Sequence, residues 1–325
     1  MESATYHSTT RDVYREAALN PRQGLCCTTT PVWRLPDLSI SKRMLAMNYG
    51  CGSTVHPRDL DRSPTVLYVG VGGGMEVLQF AYFTRRKASV IGVDVVDEML
   101  TACRDNLREA ALQNPWLRPD FVDLRHGDAL DLPLADASVD VAAQNCLFNV
   151  FHDADLTRAL AEMYRVLKPH GRLVLSDPIS ESAIPEVLRN DERLRALCLS
   201  GALPLSDYLR RLTAIGFGTI EVRARRPYRV LSPRQYATPR TLVIESVEIC
   251  AIKDPMPVDG PCIFTGRSAI YFGDEEFFDD GKGHVMTPNQ PLAVCDKTAE
   301  ALSALGRDNI FVSEATYHYD GGGCC

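Results

Sequence analysis

The chain has 325 residues, of which 45% are hydrophobic and 24% charged, and its formal net charge is −7. This composition is typical of globular proteins, and the length predicts two domains. The acidic balance argues against a nucleic-acid partner, because phosphate binding needs a concentrated basic surface; the densest basic stretch, Arg223–Arg229, is interpreted as a solvated strand or loop. No apolar run reaches bilayer length and residues 1–7 lack the pattern of a secretory signal, so we expect a cytoplasmic protein without a membrane partner.

The first element that the sequence predicts is a buried strand followed by a glycine-rich turn. The apolar run Pro64–Val69 leads directly into Gly70, Gly72 and Gly74, after which a helical pattern begins. Glycines allow a sharp turn and the close approach of a ligand, and the start of a helix offers free N–H groups. Flavin sites and purely structural turns share such a motif, so the elements that follow decide its meaning.

A second buried strand, Ala88–Val93, ends in Asp94 about 20 residues after the glycines. A carboxylate at this place can accept hydrogen bonds from both ribose hydroxyls of a bound nucleotide. The alternative is that Asp94 caps the helix predicted over Asp97–Ala111, which carries Met99 on its apolar face. The order of the elements favours the ribose interpretation, and Met99 is included in the predicted cofactor site.

Two further segments complete the predicted cofactor site. Asp128 and Ala129 lie in a loop, where the Asp128 carboxylate can accept a hydrogen bond from an adenine amino group. A fourth strand over 138–145 ends at Asn145, and the carboxyl end of such a strand faces the substrate. A helix, a turn and a strand ending at Asp177 follow. Six elements in this order resemble class I S-adenosylmethionine-dependent methyltransferases, which implies an α/β, Rossmann-like domain that binds S-adenosylmethionine.

Cysteines occur in four short segments around this predicted fold. Cys51 precedes the first strand, Cys146 ends the fourth, and Cys198 follows the strand that comes next. Cys26 or Cys27, further upstream, can reach the same pocket mouth. Because the cytosol keeps thiols reduced, we expect these cysteines to be free, and thiolates select soft metals and metalloids. The sequence therefore predicts a soft-ligand site beside a methyl donor.

At these residues the chain resembles arsenite S-adenosylmethionine methyltransferases. The resemblance covers roughly residues 12–272, and the sequence around the cysteines is more specific than the glycine turn. The closing residues 316–325 resemble the subgroup associated with arsenosugar biosynthesis. The stretches that match are Cys26–Thr29, Tyr49–Gly52, Asn145–Cys146, Leu167–Lys168, Ser176–Asp177, Cys198–Leu203 and Ile215–Phe217.

The resemblance implies a role for each of these cysteines. Cys51, Cys146 and Cys198 match the thiolates that bind trivalent arsenic, and Cys26, by its Cys-x-Thr-Thr spacing, matches an N-terminal redox cysteine for which Cys27 is the alternative. The substrates would be arsenite and then methylarsenite, whose arsenic lone pair attacks the sulfonium methyl group. Each transfer oxidises arsenic, and the family implies that Cys51 and Cys26 return two electrons as a disulfide, which glutathione or thioredoxin then reduces.

Other residues depart from the family pattern or receive a simpler interpretation. Relatives often carry Asp at the position of Tyr68 and Arg-Asp at the positions of Met75 and Glu76, so the contacts to the methionine part of the cofactor stay open. Cys324 and Cys325 either capture arsenic or belong to a tail without such a role. We interpret the remaining candidates as core cysteines and as surface or hydrogen-bonded histidines: Cys103, Cys250, Cys262, Cys295, His152 and His284.

The predicted organisation is a methyltransferase domain over 1–224 and a smaller α+β accessory domain over 225–325, which ends in Gly-Gly-Gly-Cys-Cys. The cofactor core occupies about 60–180, and the arsenic-site segments are 20–55 and 181–220. A monomer is expected, because the cofactor fold needs no partner. Two alternative functions stay open: methylation of another small molecule, and metalloid binding by the thiols without turnover.

Overall fold

The structure is a computed structural model that describes residues 2–21, 25, 35–236 and 238–321, with side chains from Tyr6 onward. Cys26, Cys27, Cys324 and Cys325 lie outside the described residues. In the part of the chain that the structure describes, every helix is too short or too polar to cross a membrane.

Strands and helices alternate between residues 66 and 126 of the chain. The helices are α1 (Glu2–Leu19), α2 (Lys42–Ala46), α3 (Met75–Thr84), α4 (Asp97–Gln113), α5 (Asp153–Val166), α6 (Glu186–Arg189), α7 (Glu192–Ala196), α8 (Leu205–Ile215), α9 (Pro233–Tyr236) and α10 (Asp296–Ala304). The strands are β1 (Val66–Val69), β2 (Val90–Asp94), β3 (Val122–His126), β4 (Val139–Asn145), β5 (Leu167–Ser180), β6 (Leu203–Pro204), β7 (Thr219–Leu231), β8 (Leu242–Ile252), β9 (Cys262–Phe264), β10 (Arg267–Tyr271), β11 (Phe278–Asp279), β12 (Val285–Met286), β13 (Leu292–Val294) and β14 (Ile310–Val312).

A parallel sheet in the order β3-β2-β1-β4-β5 forms the centre of the molecule. β1 pairs with β2 on one side and β4 on the other, with Val66 opposite both Val90 and Val141. These strands are continuous apolar runs because both faces of a parallel sheet are buried. The strand order reverses at β1, and at such a point a crevice opens beyond the carboxyl ends of the strands. The predicted α/β cofactor core is therefore present.

Two long antiparallel strands, β8 and β7, continue this sheet beyond β5, and β9 pairs in parallel with β7. The expected domain boundary between residues 224 and 225 falls inside β7, and the division into two domains remains a proposal. A separate three-stranded sheet, β13-β10-β14, packs with α10 around its own apolar cluster, which includes Tyr271, Val294 and Leu302.

The basic stretch of β7 differs from the expectation of a solvated segment. Arg223 is buried and forms ion pairs with Asp59 and Glu221, while Arg225 pairs with Glu245. Burial alone would raise the pKa of Asp59, but hydrogen bonds from Arg223 and Arg172 outweigh it and lower that pKa. Arg223 therefore fixes β7 against its neighbours, whereas Arg225 and Arg226 remain partly exposed to solvent.

Candidate cofactor and thiol site

A cavity of about 780 Å³ lies in the crevice at the carboxyl ends of β1, β2 and β4. The glycine turn after β1 lines it, together with Asp94, Met99 and Asn145. An adjoining cavity shares Asp94 with the first and extends to Asp128 and Ala129. Helix α1 closes the outer side, where its residues Thr10, Arg11 and Tyr14 line the main cavity. The structure thus brings together most of the residues that the sequence predicts for the cofactor.

The glycine turn has the backbone conformation for which glycine is needed. Gly70, Gly72 and Gly74 have φ values of 79°, 52° and 84°, in the left-handed region that L side chains rarely adopt. Gly70 and Gly72 line the cavity, and so does Gly73, which the sequence analysis did not single out. Gly74 is instead the N-cap of α3, where an added Cβ would lie 2.8 Å from Cys103 Sγ. Glycine is therefore required at position 74 because α3 packs closely against α4 there.

Asp94 braces the turn at which it lies. One carboxylate oxygen accepts from the Val71 amide at 3.0 Å and the other from the Val96 amide at 2.9 Å. Burial raises the pKa of Asp94 to about 6, although the backbone hydrogen bonds oppose the shift. The N-cap of α4 is Val96 rather than Asp94, so the capping alternative is wrong.

The Asp128 carboxylate lies where α1 crosses the adjoining cavity. Arg11 Nη2 is 3.6 Å from its Oδ2, and the Leu130 amide donates to its Oδ1 at 3.0 Å. Tyr6 and His7 of the same helix contact Asp155 at the start of α5. Helix α1 therefore covers the Asp128 end of the cavities and is fixed there by polar contacts.

Asn145 connects the end of β4 to the segment that carries Cys51. Its Oδ1 accepts from the Cys51 amide at 2.9 Å, and its Nδ2 donates to the Gly52 carbonyl at 3.0 Å and to Glu76 Oε2 at 3.1 Å. A Cβ on Gly50 would lie 2.5 Å from Asn145 Nδ2, so this close approach requires glycine. Residues nearly 100 positions apart are thereby held at one strand end.

Cys51 lies in a segment that two carboxylates hold in place. The Thr54 amide donates to Glu76 at 2.8 Å and the Ser53 amide donates to Glu248 at 2.8 Å. The Cys51 thiol is buried, and its Sγ lies 3.4 Å from Ser176 Oγ on β5. Its position next to β4 and β5 is thus set by the strand ends beneath it.

Cys146 and Cys198 lie directly against each other. Cys198 Sγ donates to the Cys146 carbonyl at 2.7 Å, and both cysteines are buried. Both have left-handed backbone, with φ values of 58° and 59°. Cys146 also lines the main cavity. The three cysteines predicted to bind arsenic therefore share one neighbourhood beside the predicted cofactor site.

The thiols are not arranged as a formed coordination site. Among the described residues, no three side chains of the His, Cys, Asp and Glu types are placed to hold a metal ion. The Cys51 thiol is engaged with Ser176 Oγ, and the Cys198 thiol is engaged with the Cys146 carbonyl. Binding one arsenic atom by all three sulfurs would require these two contacts to break.

A buried polar network that the sequence analysis missed lies beside the cysteines. Asp177 Oδ2 accepts from Gln144 Nε2 at 2.5 Å and from the Tyr208 hydroxyl at 2.7 Å, and Gln144 Oε1 accepts from the Leu147 amide at 2.8 Å. Burial raises the pKa of Tyr208, and the charges of Asp177, Cys51 and Cys198 act in the same direction. Polar residues at the ends of the apolar strands β4 and β5 are the signal that could have indicated this network.

Comparison with known proteins agrees with this geometry. A family profile described as a methyltransferase domain matches residues 67–175. Arsenite methyltransferase of Aquipseudomonas alcaligenes is 34% identical over 220 residues, which are 65% of this chain and 62% of that protein. Arsenite methyltransferase of Halobacterium salinarum is 30% identical over 176 residues, which are 54% of this chain and 43% of that protein. The chain therefore matches less than two thirds of the length of these curated relatives.

Among solved structures, an arsenic (III) S-adenosylmethionine methyltransferase from Chlamydomonas reinhardtii is similar to this chain with a TM-score of 0.56. The two are 21% identical, and the similarity covers 94% of this chain and 97% of the other. This likeness concerns the fold. The chain thus has the class I S-adenosylmethionine-dependent methyltransferase fold predicted from its sequence, and its resemblance to arsenite methyltransferases is confirmed.

Proposed function

We propose that this protein is an enzyme that methylates trivalent arsenic, with S-adenosylmethionine as the methyl donor. The observation that carries the proposal is the placement of Cys146 on the cavity wall, with Cys198 against its carbonyl and Cys51 tied to the preceding residue, Asn145. The arsenite methyltransferases that match the chain in sequence support the same chemistry. Soft thiols beside a methyl donor suit a thiophilic acceptor.

The residues around the cavities fit S-adenosylmethionine. The Asp94 carboxylate would bind the ribose hydroxyls, and the Gly70–Gly73 turn leaves room for the ligand at the backbone. Asp128 and Ala129 would contact the adenine in the adjoining cavity. When bound, this cofactor supplies an electrophilic methyl group on a sulfonium. The chain's own contribution is to hold that group and the acceptor at a fixed approach.

The thiols would bind arsenite by ligand exchange. Each S–H proton leaves with an arsenic-bound hydroxide as water, and Cys51, Cys146 and Cys198 replace the three oxygens. Arsenic held by three sulfurs keeps a lone pair that these residues can direct toward the cofactor. The methyl step then needs no general base, because the nucleophile is a lone pair and carries no proton.

Transfer of the methyl group oxidises arsenic from the trivalent to the pentavalent state. Two electrons are needed to return it, and two thiols that form a disulfide can supply them. We assign this to Cys51 and Cys26, as the family resemblance implies, with Cys27 as the alternative partner. Glutathione or thioredoxin would then reduce the disulfide by thiol exchange. Arsenic detoxification or the supply of an arsenosugar precursor would be the physiological role, for a monomer in the cytoplasm.

The test is to incubate the protein with arsenite, S-adenosylmethionine and glutathione, and to quantify arsenic species by chromatography and elemental mass spectrometry. We expect methylated arsenic only when the cofactor is present, and none with Cys146→Ser. The matched control is Cys295→Ser, a buried thiol in the separate C-terminal cluster, which should still produce methylated arsenic. Folded, cofactor-binding protein that yields no methylated arsenic would contradict the proposal.

A further inference from the structure

The end of the main cavity away from Asp128 has no contact assigned so far. Asp128 and Ala129 mark the adenine end, and Asp94 with the glycine turn marks the middle. An extended S-adenosylmethionine would therefore place its amino-acid end against the remaining wall, which includes Tyr68, Glu76 and Asn145.

Glu76 is the charged group on this wall. It lies in the first turn of α3 with a relative exposure of 4%. Of the described residues that line the main cavity, the carboxylates are those of Glu76 and Asp94. Asp94 lies at the middle of the cavity, where its two oxygens accept hydrogen bonds from the Val71 and Val96 amides. Glu76 is thus the acid available to a cation at the far end.

The contacts that Glu76 makes with described residues supply hydrogen bonds but no counter-charge. Its Oε2 accepts from Tyr68 Oη at 2.6 Å, Thr54 Oγ1 at 3.1 Å and Asn145 Nδ2 at 3.1 Å. Its Oε1 accepts from the Thr54 amide at 2.8 Å. All of these donors are uncharged. A carboxylate oxygen can accept about two hydrogen bonds, so Oε1 has room for one more donor.

A buried carboxylate in such surroundings favours a cationic ligand. Taking an ionised acid out of water is costly unless it is paired and hydrogen-bonded. Burial raises the pKa of Glu76, while the hydrogen bonds oppose that rise. An ammonium group would supply both the charge and the missing donor. Of the groups at the amino-acid end of S-adenosylmethionine, the α-ammonium is the one that can donate.

We propose that the Glu76 carboxylate binds the α-ammonium group of S-adenosylmethionine and anchors the methionine end of the cofactor. The inference rests on the proposed function only in taking this cofactor as the methyl donor. It also has a mechanical consequence, because Glu76 holds Thr54 and Asn145, which in turn flank and bind Cys51. One carboxylate would then set the position of the cofactor and of an acceptor thiol.

The experiment is isothermal titration calorimetry with three ligands on the full chain carrying Glu76→Gln. S-Adenosylmethionine has the ammonium and the sulfonium, S-adenosylhomocysteine has the ammonium alone, and 5′-methylthioadenosine has neither. We expect the affinity for the first two ligands to fall by about tenfold or more, and that for 5′-methylthioadenosine to change less than about threefold. The conservative variant Glu76→Asp should keep a preference for S-adenosylhomocysteine over 5′-methylthioadenosine.

Two outcomes would overturn the assignment. An equal loss for all three ligands would show that Glu76 acts on the shape of the site, and a loss for S-adenosylmethionine alone would assign it to the sulfonium. Glu248→Gln is the matched control, because Glu248 also holds the Cys51 segment but does not line the cavity, and it should leave all three affinities unchanged. No arsenic is present in these titrations, so their result is separate from the test of arsenic methylation.

Discussion

At the scale of single residues, the three cysteines proposed to bind arsenic are held by different contacts. Cys146 and Cys198 touch directly, whereas Cys51 is held by Asn145 and Ser176. This arrangement agrees with a persistent pair and a third ligand that can be released. In the proposed mechanism, methyl groups replace sulfur ligands on arsenic, so fewer cysteines would be needed for the second methylation.

We therefore expect serine substitutions to separate the two methylation steps. Cys51→Ser and Cys26→Ser should slow the methylation of arsenite more than that of methylarsenite, whereas Cys146→Ser and Cys198→Ser should abolish both. Initial rates with each substrate, measured by arsenic speciation, provide the comparison. An equal loss across all four variants would contradict the division of roles.

The sequence predicted these residues unequally, for physical reasons. Gly70, Asp94 and Asn145 follow apolar strands in a fixed order, so their convergence could be inferred from the periodicity and the glycines alone. The hydrogen bonds of Glu76 and Asp177 could not, because their partners depend on how separate segments pack. Gly74 is a similar case: the sequence predicted its place in the turn, but it could not predict its contact with Cys103 on another helix.

Among the elements, the turn of residues Pro57–Leu60 links the Cys51 segment to the outer part of the sheet. Its Asp59 carboxylate accepts from Arg172 on β5 and from Arg223 on β7, the second of which is 164 positions away in sequence. The basic run of β7 was interpreted as solvated because such distant partners cannot be seen in a local pattern. Strand β7 is also long and pairs with β8 over most of its length. The expected boundary at 224/225 therefore falls inside a strand.

Removal of the Asp59 charge should destabilise this part of the fold. Asp59→Asn takes the carboxylate from the buried Arg223 side chain, which keeps Glu221, and from the part-exposed Arg172 side chain, and we expect a loss of about 3 kcal/mol in the free energy of unfolding at pH 7. Since the pKa of Asp59 is lowered by folding, its contribution is present above the unfolded pKa of about 4 and is lost as the pH falls through the folded value. Urea unfolding between pH 7 and pH 3 measures the difference.

The control for this prediction is Asp207→Asn, which removes an exposed ion pair with Arg210. Exposed ion pairs contribute little to stability, so we expect the free energy of unfolding to change by less than about 1 kcal/mol. A difference between Asp59→Asn and the unmodified protein that stays constant over the whole pH range would show that the Asp59 charge is not responsible.

At the scale of the whole molecule, the C-terminal residues 313–321 join the small sheet to the main one. Tyr319 is buried and stacks on Phe264 of β9 at 4.7 Å, and Arg225 of β7 lies over the ring of Tyr317 at 4.8 Å. The Tyr317 amide donates to the Thr265 carbonyl at 2.7 Å. The tail is therefore part of the packed structure up to this point.

Two truncations test this connection. Ending the chain at Val312 removes the buried Tyr319 ring, which is worth about 1.5–3 kcal/mol, and should lower the melting temperature by at least about 3 °C. Ending it at Gly321 removes Cys324 and Cys325 but keeps the stacked ring, and should leave the melting temperature unchanged. Differential scanning calorimetry makes the measurement, and equal melting temperatures for the two truncated chains would refute the connection. The chain that ends at Gly321 also tests arsenic capture, since its turnover at low arsenite should fall only if the terminal thiols contribute.

The left-handed backbone at Cys146 and Cys198 lowers the stability of the fold at two positions where the proposed activity requires a thiol. A residue with a side chain costs about 1–2 kcal/mol in this conformation, whereas glycine adopts it freely and asparagine tolerates it. Relief of this backbone strain alone would favour Gly or Asn at both positions, and each such replacement would remove a thiol that the proposed arsenic methylation needs. A library enriched for stable variants should lose these cysteines unless activity is selected at the same time.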